Sequence, residues 1–197
     1  MALFRLTRPL DPEPLVRGVG VYLRPAVAGD YLAWSRLREQ SRMFLTPWEP
    51  TWPEDDLTRA AFRRRLRRQA EEMARDESYA FLIFDATSDE LIGGLTLGGI
   101  RRGVAQAATL GYWMGAPHAG KGHMTRAVAA IARFGFSNLR LHRIEAACIP
   151  DNAPSMALLQ RNGFRREGLA RAYLKINDAW RDHVLFALLE GEAARLD

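Results

Sequence analysis

The 197-residue sequence predicts an α/β (α+β) fold, a single domain on a mixed, mostly antiparallel sheet of about seven strands with helices on both faces. Three observations predict it. Tyr79–Asp85, Leu91–Arg101 and Gln106–Met114 are strand-like runs separated only by turns around Ser88-Asp89 and Arg102-Gly103, the spacing of an antiparallel meander. Gly120-Lys-Gly122 then opens a helical pattern that buries Met124, Val128, Ile131 and Phe134 and runs to Ser137. The strand-like segment His142–Ile149 comes next, and a strand after a helix implies a crossover rather than a hairpin.

The elements follow in order. Residues 1–18, with Pro9, Pro12 and Pro14, read as an extended lead-in; the domain spans 19–189 and 190–197 form a tail. Val19–Arg24 alternates and is β-branched, as a strand requires. Asp30 is placed to cap a helix from Tyr31 to about Gln40. Met43–Pro53 carries three prolines and two tryptophans, which break regularity. Glu54–Glu77 has Leu57, Phe62, Leu66 and Met73 at helical spacing. Asn152 is a good N-cap, Pro154 is tolerated in a first turn and Gly163 suits a C-terminal cap, which defines a helix over Ala153–Asn162. Phe164–Ile176 and Trp180–Leu189 close the sheet through a turn at Asn177-Asp178. There is no internal repeat and no linker.

Composition narrows the function classes. With 48% hydrophobic residues the chain can bury one good core. The single Cys148 excludes an intramolecular disulfide framework and is consistent with a reducing cytoplasm; within Ile144-Glu-Ala-Ala-Cys-Ile149 it reads as a buried strand residue. No stretch approaches a membrane span, and the N-terminus lacks the apolar core of a signal peptide. A net charge of +5 favours anionic partners without identifying one. The four histidines lack any ligand spacing for zinc, so no metal is expected.

The chemistry centres on Gly111-Tyr-Trp-Met-Gly-Ala-Pro-His-Ala-Gly-Lys-Gly-His-Met-Thr-Arg126. A strand, a glycine turn and a helix start present unpaired backbone N–H groups where the macrodipole favours negative charge, which suits a pyrophosphate. Gly115, Gly120 and Lys121 are in register with a P-loop. Position 122 is glycine, however, and lacks the hydroxyl that would hold Mg²⁺ against the phosphates.

The glycine pair Gly120-Lys-Gly122 also resembles the acyl-coenzyme A loop of the GNAT acetyltransferases, with Pro117 where that pattern has Gln or Arg. Gly111-Tyr-Trp, Met124 and Ala127 are similar to the cofactor segment of ribosomal-protein N-terminal acetyltransferases of RimJ and RimL type. Asn152-Ala-Pro-Ser155, Arg161-Asn-Gly-Phe164 and Glu167-Gly168 are similar to their next segment. Phe44-Leu-Thr-Pro-Trp-Glu-Pro50 and Trp180-Arg-Asp-His-Val184 resemble the RimJ alanine acetyltransferases in particular. The resemblance runs from about Val19 to Leu189.

It implies acetyl transfer from acetyl-CoA, with no metal, to a primary amine by direct attack in a ternary complex. Backbone around His118, Ala119, Gly120, Lys121, Gly122, His123, Met124 and Thr125 would hold the pyrophosphate, with Lys121 or His123 neutralising charge. Trp113, Met114 and Asn152 would hold the pantetheine arm. Ser155 would protonate the departing thiolate. Some relatives carry a glutamate base on the sixth strand; Tyr173 or Leu174 stands there in this chain, leaving Glu49 or Tyr112 as the candidate proton acceptor. The α-amine has a pKa near ~7.7–8.0, so its deprotonation is mild work. Leu45, Trp48, Glu49, Trp52, Tyr112 and Tyr173 would form the acceptor side.

The implied acceptor is the α-amine of a protein N-terminus, a ribosomal protein beginning with alanine. A small-molecule amine (a polyamine or an antibiotic) and a non-catalytic ribosome-associated CoA-binding module are the alternatives. The arginines of the Arg59–Arg75 helix are either a solvated face or a contact for an acidic or ribonucleoprotein surface; no membrane and no sequence-specific nucleic acid are expected.

Overall fold

The computed structural model describes residues 15–195, and eight strands in it form one sheet. They are β1 (Val16–Gly18), β2 (Val21–Arg24), β3 (Tyr79–Asp85), β4 (Leu91–Arg101), β5 (Ala107–Met114), β6 (Arg143–Cys148), β7 (Arg165–Ile176) and β8 (Ala179–Leu189), in the spatial order β1-β2-β3-β4-β5-β6-β8-β7. Every neighbouring pair is antiparallel except β5 and β6. Five helices join them: α1 (Tyr31–Gln40), α2 (Arg42–Leu45), α3 (Arg59–Ala74), α4 (His123–Ser137) and α5 (Ala153–Arg161). The meander, the crossover through α4 and the closing hairpin are those the sequence predicts.

Alternation along β3 divides the molecule into two layers. Phe81 and Ile83 join a core with Val128 and Ile131 of α4 and Leu159 of α5. Leu82 and Phe84 join a second core with Trp34 and Leu37 of α1 and Phe62 of α3. Successive side chains of a strand point to opposite faces, so the run Phe-Leu-Ile-Phe needs cover on both. Each such side chain contributes about 1.5–3 kcal/mol by leaving water.

Two terminators are explicit. Gly163, at φ 77°, donates to Gln160 O (3.0 Å) while Phe164 N–H reaches Leu159 O (3.1 Å), a Schellman end for α5. Asn177 and Asp178 both have positive φ, 45° and 63°, as a two-residue loop matched to strand twist demands.

Several boundaries differ from expectation, each for a local reason. The first strand is two: Val19-Gly20 form a tight turn, with Gly20 at φ 67°, that folds β1 onto β2. The sheet therefore has eight strands rather than about seven and begins inside the expected lead-in, where Val16 is buried; residues 1–14 lie outside the described residues. The helix expected over Glu54–Glu77 is shorter, because the Thr58 hydroxyl accepts the Ala61 N–H (3.2 Å) and caps α3 there. Met43–Pro53 is not wholly irregular, since it contains most of α2 and a 3₁₀ turn over Thr46–Trp48. Asp30 precedes α1 without capping it: its carboxylate takes Arg24 Nη1 and Nη2 (2.7 and 2.8 Å) and the Val27 N–H (2.7 Å). The tail carries a 3₁₀ segment over Glu190–Arg195.

Candidate active site

β5 and β6 pair at three positions only, Ala107–Arg143, Ala108–Ile144 and Thr109–Glu145. Beyond Thr109 they part, β5 continuing along β4 as far as Met114 and β6 along β8. Their facing edges are left without a strand partner, and an unpaired edge is a template for an extended, amide-bearing chain. A cavity of about 450 Å³ opens at this gap.

At one end lies the glycine turn. Gly120 (φ 75°) and Gly122 (φ 77°) occupy the left-handed region, which only glycine enters freely. The first backbone bond of α4 is Arg126 N–H to Gly122 O (3.2 Å), so the N–H groups of His123, Met124 and Thr125 stay outside the helical ladder. The His123 imidazole is held below its ordinary pKa by burial and by the neighbouring Arg126 guanidinium. An arginine can only donate, so Nδ1 of His123 accepts from Arg126 Nη2 (3.0 Å), while the Asp85 carboxylate, 3.8 Å from the same nitrogen, acts the other way. Arg126 itself keeps a buried Nε with no hydrogen-bond partner.

In the middle, α5 brings up a hydroxyl. Asn152 Oδ1 accepts the Ser155 N–H (3.1 Å) and fixes the first turn. Ser155 Oγ lies 2.7 Å from Tyr112 Oη on β5. Burial pushes the Tyr112 phenol up to about 12, against the smaller opposing effect of that bond. Cys148 lines the same space; burial raises its thiol, with a hydrogen bond from Ser155 acting the other way.

At the far end stands the Met43–Trp52 segment. Leu45, Trp48 and Glu49 line the cavity. Glu49 takes both terminal nitrogens of Arg38 (2.8 and 2.7 Å) and the Trp52 indole N–H (2.6 Å). The Arg38 guanidinium sits 4.0 Å from the Trp52 ring centroid and 4.9 Å from that of Trp113. Trp113 reaches this position because its β4 partner is Gly94, where an added Cβ would lie 2.3 Å from the indole nitrogen. Backbone N–H of Asn177, in the β7–β8 turn, donates to Glu49 O (3.2 Å) and ties the hairpin to the segment.

A model of the acetyltransferase (GNAT) domain matches residues 21–165. The chain belongs to the GNAT acetyltransferases. It is 38% identical over 175 residues to a probable N-acetyltransferase, YjcK, of Bacillus subtilis, covering 89% of this chain and 97% of that one. It is 38% identical over 149 residues to the [ribosomal protein uS5]-alanine N-acetyltransferase of Escherichia coli, covering 76% and 77%. Among solved structures, RimJ of Mycobacterium smegmatis in complex with CoA-disulfide superimposes with a TM-score of 0.85 at 34% identity, covering 92% of this chain and 90% of that one.

GNAT enzymes use acetyl-CoA as co-substrate, and the residues present fit it: open edges between β5 and β6, two left-handed glycines and unladdered N–H groups at α4. Most expected site residues meet in the one cavity, namely Leu45, Trp48, Glu49, Tyr112, Trp113, Met114, His118, Ala119, Gly120, Gly122, His123, Met124, Thr125, Asn152 and Ser155. Three expected residues do not line it. Lys121 is an exposed turn residue, Trp52 stands behind Glu49, and Tyr173 packs edge-on against His183 with ring centroids 5.8 Å apart. Of the two residues expected to neutralise phosphate charge, Lys121 is exposed in the glycine turn and His123 lines the cavity.

Of the two candidate proton acceptors, Tyr112 has its phenol pushed up to about 12 by burial, and Glu49 accepts three N–H groups. Sequence reasoning missed Arg38, buried at 6% exposure inside a helix that reads as ordinary, and its i+11 pairing with Glu49 carries no sequence signal. Arg126 was legible, three residues past His123 on the first turn of α4. His183, 3% exposed and on the cavity wall, was not missed: like His142 it reads from the sequence as a strand residue, and so as a weaker base than Glu49 or Tyr112.

The arginines of α3 are largely paired locally: Arg64 with Asp55, Arg65 with Asp56 (2.7 Å) and Arg68 with Glu72 (3.5 Å), while Arg59 stacks on Tyr31 (4.7 Å). Among the described residues, no helix is long and apolar enough to cross a membrane.

Proposed function

We propose that this enzyme acetylates the N-terminal α-amine of a protein, a ribosomal protein that begins with alanine or a similarly small residue, by direct attack on acetyl-CoA in a ternary complex. The observation that carries the reading is a cavity with a hydroxyl pair at the β5–β6 gap and a narrow tryptophan- and carboxylate-lined end. The identity to the uS5-alanine enzyme supports the choice of acceptor.

In this reading the thioester supplies the acetyl group and a thiolate leaving group. The backbone of Gly120–Thr125 holds the pyrophosphate and the free edge of β5 holds the pantetheine amides. Ser155 gives its hydroxyl proton to the sulfur, and Tyr112, 2.7 Å away and fully protonated at neutral pH, returns one to Ser155. Glu49 is held by Arg38 as a fixed negative charge at the acceptor end, where it attracts an ammonium group while Leu45 and Trp48 limit the first side chain. The paired arginines of α3 favour a solvated face, with Arg63 and Arg67 as the remaining cations for an acidic surface.

Thiol release with a peptide panel tests this. Turnover of Ala- and Ser-starting peptides, and little with the same peptides blocked at the α-amine, is the expected result. Turnover of a polyamine or an aminoglycoside with none of the peptides overturns it.

A further inference from the structure

One buried titratable group in the cavity is unused by these steps. His183 is 3% exposed and contributes to the cavity wall. Its Nδ1 lies 3.0 Å from the backbone oxygen of Arg181. A carbonyl only accepts, so Nδ1 carries the hydrogen and Nε2 of the neutral ring carries the lone pair.

Strand alternation fixes which side of the sheet the ring serves. Val184 and Phe186 on β8 enter the core beneath α4 and α5, so His183 faces the opposite layer. Trp113 packs with that layer, next to Arg38 and therefore near the acceptor segment. Tyr112 packs with the α4–α5 layer, and Ser155 with it. The imidazole and the hydroxyl pair thus belong to opposite faces of the gap.

A second feature holds the ring. The register of β7 on β8 passes from Ala170–His183 to Leu174–Arg181, a bulge of three residues against one. Ala172 in it has φ 46°, and its N–H is taken by Asp182 Oδ1 (2.8 Å). The bulge turns Tyr173 edge-on to His183, at 63° between ring planes. Bulges of this kind re-aim side chains beside active sites.

We propose that His183 is the proton acceptor of the reaction: Nε2 removes a proton from the acceptor ammonium, and the neutral amine then attacks the thioester. One N–H bond of the ammonium breaks and one Nε2–H bond forms. The imidazolium returns that proton to solvent through the cavity mouth; as the C–S bond breaks, Ser155 gives a proton to the departing thiolate, and the second N–H proton of the tetrahedral adduct, released as the amide forms, restores the Ser155–Tyr112 pair. The role rests on the acetyl-transfer reading above. The titratable and charged groups that share the cavity wall with the ring are Glu49, Tyr112, His118, His123, Cys148 and Arg161; Tyr173 from β7 packs against it, and Arg181 turns its guanidinium to Asp151 (3.4 Å).

His183→Asn keeps a donor for the Arg181 carbonyl and removes the acceptor. With an Ala-starting peptide, kcat is expected to fall about 10²-fold, the low end for general-base catalysis, with both KM values within about a factor of two. The acid limb of the kcat/KM profile should move up toward the pKa of the free peptide amine. His142→Gln, on an exposed histidine before β6, should leave rate and profile unchanged.

A His183→Asn enzyme that folds, keeps kcat within about threefold and retains the acid limb overturns the proposal. If that variant does not fold, side-chain ¹⁵N spectra of the parent decide. An Nδ1–H tautomer whose titration midpoint matches the kinetic limb is expected; a midpoint more than about one unit away overturns it. Failure of the acceptor assignment is distinct: a parent enzyme that acetylates a polyamine but no peptide refutes the N-terminal reading, and the same comparison on the polyamine then judges His183.

Discussion

Glu49→Gln is the change with the most to reveal, because Glu49 joins the Met43–Trp52 segment to the rest of the fold. The carboxylate takes two bonds from Arg38 and one from Trp52, and the exposures of the two charged side chains are 7% for Arg38 and 20% for Glu49. Gln keeps the shape but turns one acceptor into an NH₂ that must face another donor. Removing one partner of a buried pair costs about 3–5 kcal/mol. Glu49 is a fifth exposed and water recovers part of that, which brings the cost to about 2–3 kcal/mol. For a chain of this size each kcal/mol moves the midpoint by about 2–4 °C, so Tm should fall by about 4–12 °C.

A double-mutant cycle with Arg38→Met separates the pair from its surroundings. Arg38→Met leaves Glu49 with Trp52 alone and should be destabilising by itself, while the double variant should cost less than the sum, with a coupling of about 2 kcal/mol in urea unfolding. Steady-state kinetics add a direction: KM for the peptide should rise and KM for acetyl-CoA should stay, because the pair sits at the acceptor end. A coupling below about 0.5 kcal/mol, or a rise in the acetyl-CoA KM alone, refutes the account of this box.

Ser155→Ala should lower kcat about 10²-fold with acetyl-CoA affinity by calorimetry within about twofold, and an unchanged kcat would remove the hydroxyl from the mechanism. Gly122→Ala forces a side chain into the left-handed region at φ 77° and sets its Cβ 3.0 Å from Arg126 Nη1. At about 1–2 kcal/mol for that conformation, acetyl-CoA binding should weaken about 10-fold by calorimetry, against less than about threefold for Lys121→Ala. The Tyr112 phenol is raised to about 12, above its unfolded value of 10.0, so the stability it contributes is fully present below pH 10 and is lost as pH rises through about 12. Absorbance at 295 nm should show a late-titrating phenol that Tyr112→Phe removes, and a tyrosinate from Tyr112 below pH 9 would overturn its assignment as a protonated relay.

Much of this was legible because it is local. The glycine turn, the Asn152 cap, the Gly163 end and the Asn177-Asp178 hairpin each rest on conformational rules that act within five residues, and the structure keeps all of them. The resemblance carried the family and most of the cavity wall. What stayed hidden is what the sheet brings together from afar. Arg38 is stacked between Trp52 and Trp113, and nothing in α1 marks it as different from Arg36. The short first strand was misjudged because the Val19-Gly20 turn splits one β-rich run into a hairpin. Asp30 looked like a cap, yet a nearby guanidinium competes for the same oxygens.

The Met43–Trp52 segment and the β5–β6 gap are therefore not independent parts. Gly94 lets Trp113 lie over β4, Trp113 offers a face to Arg38, Arg38 fixes Glu49, and the Glu49 backbone oxygen receives the β7–β8 turn. Each link depends on the one before: a side chain at position 94 displaces the indole, and without the indole the guanidinium loses one of its two aromatic faces. The gap is set by where β5 stops pairing with β6, and Trp113 lies in the unpaired part of β5. The strand that opens the edge facing β6 thus also positions the Glu49 charge at the proposed acceptor end. The direct attack proposed above needs that coupling, since amine and thioester must meet within about 3–3.5 Å.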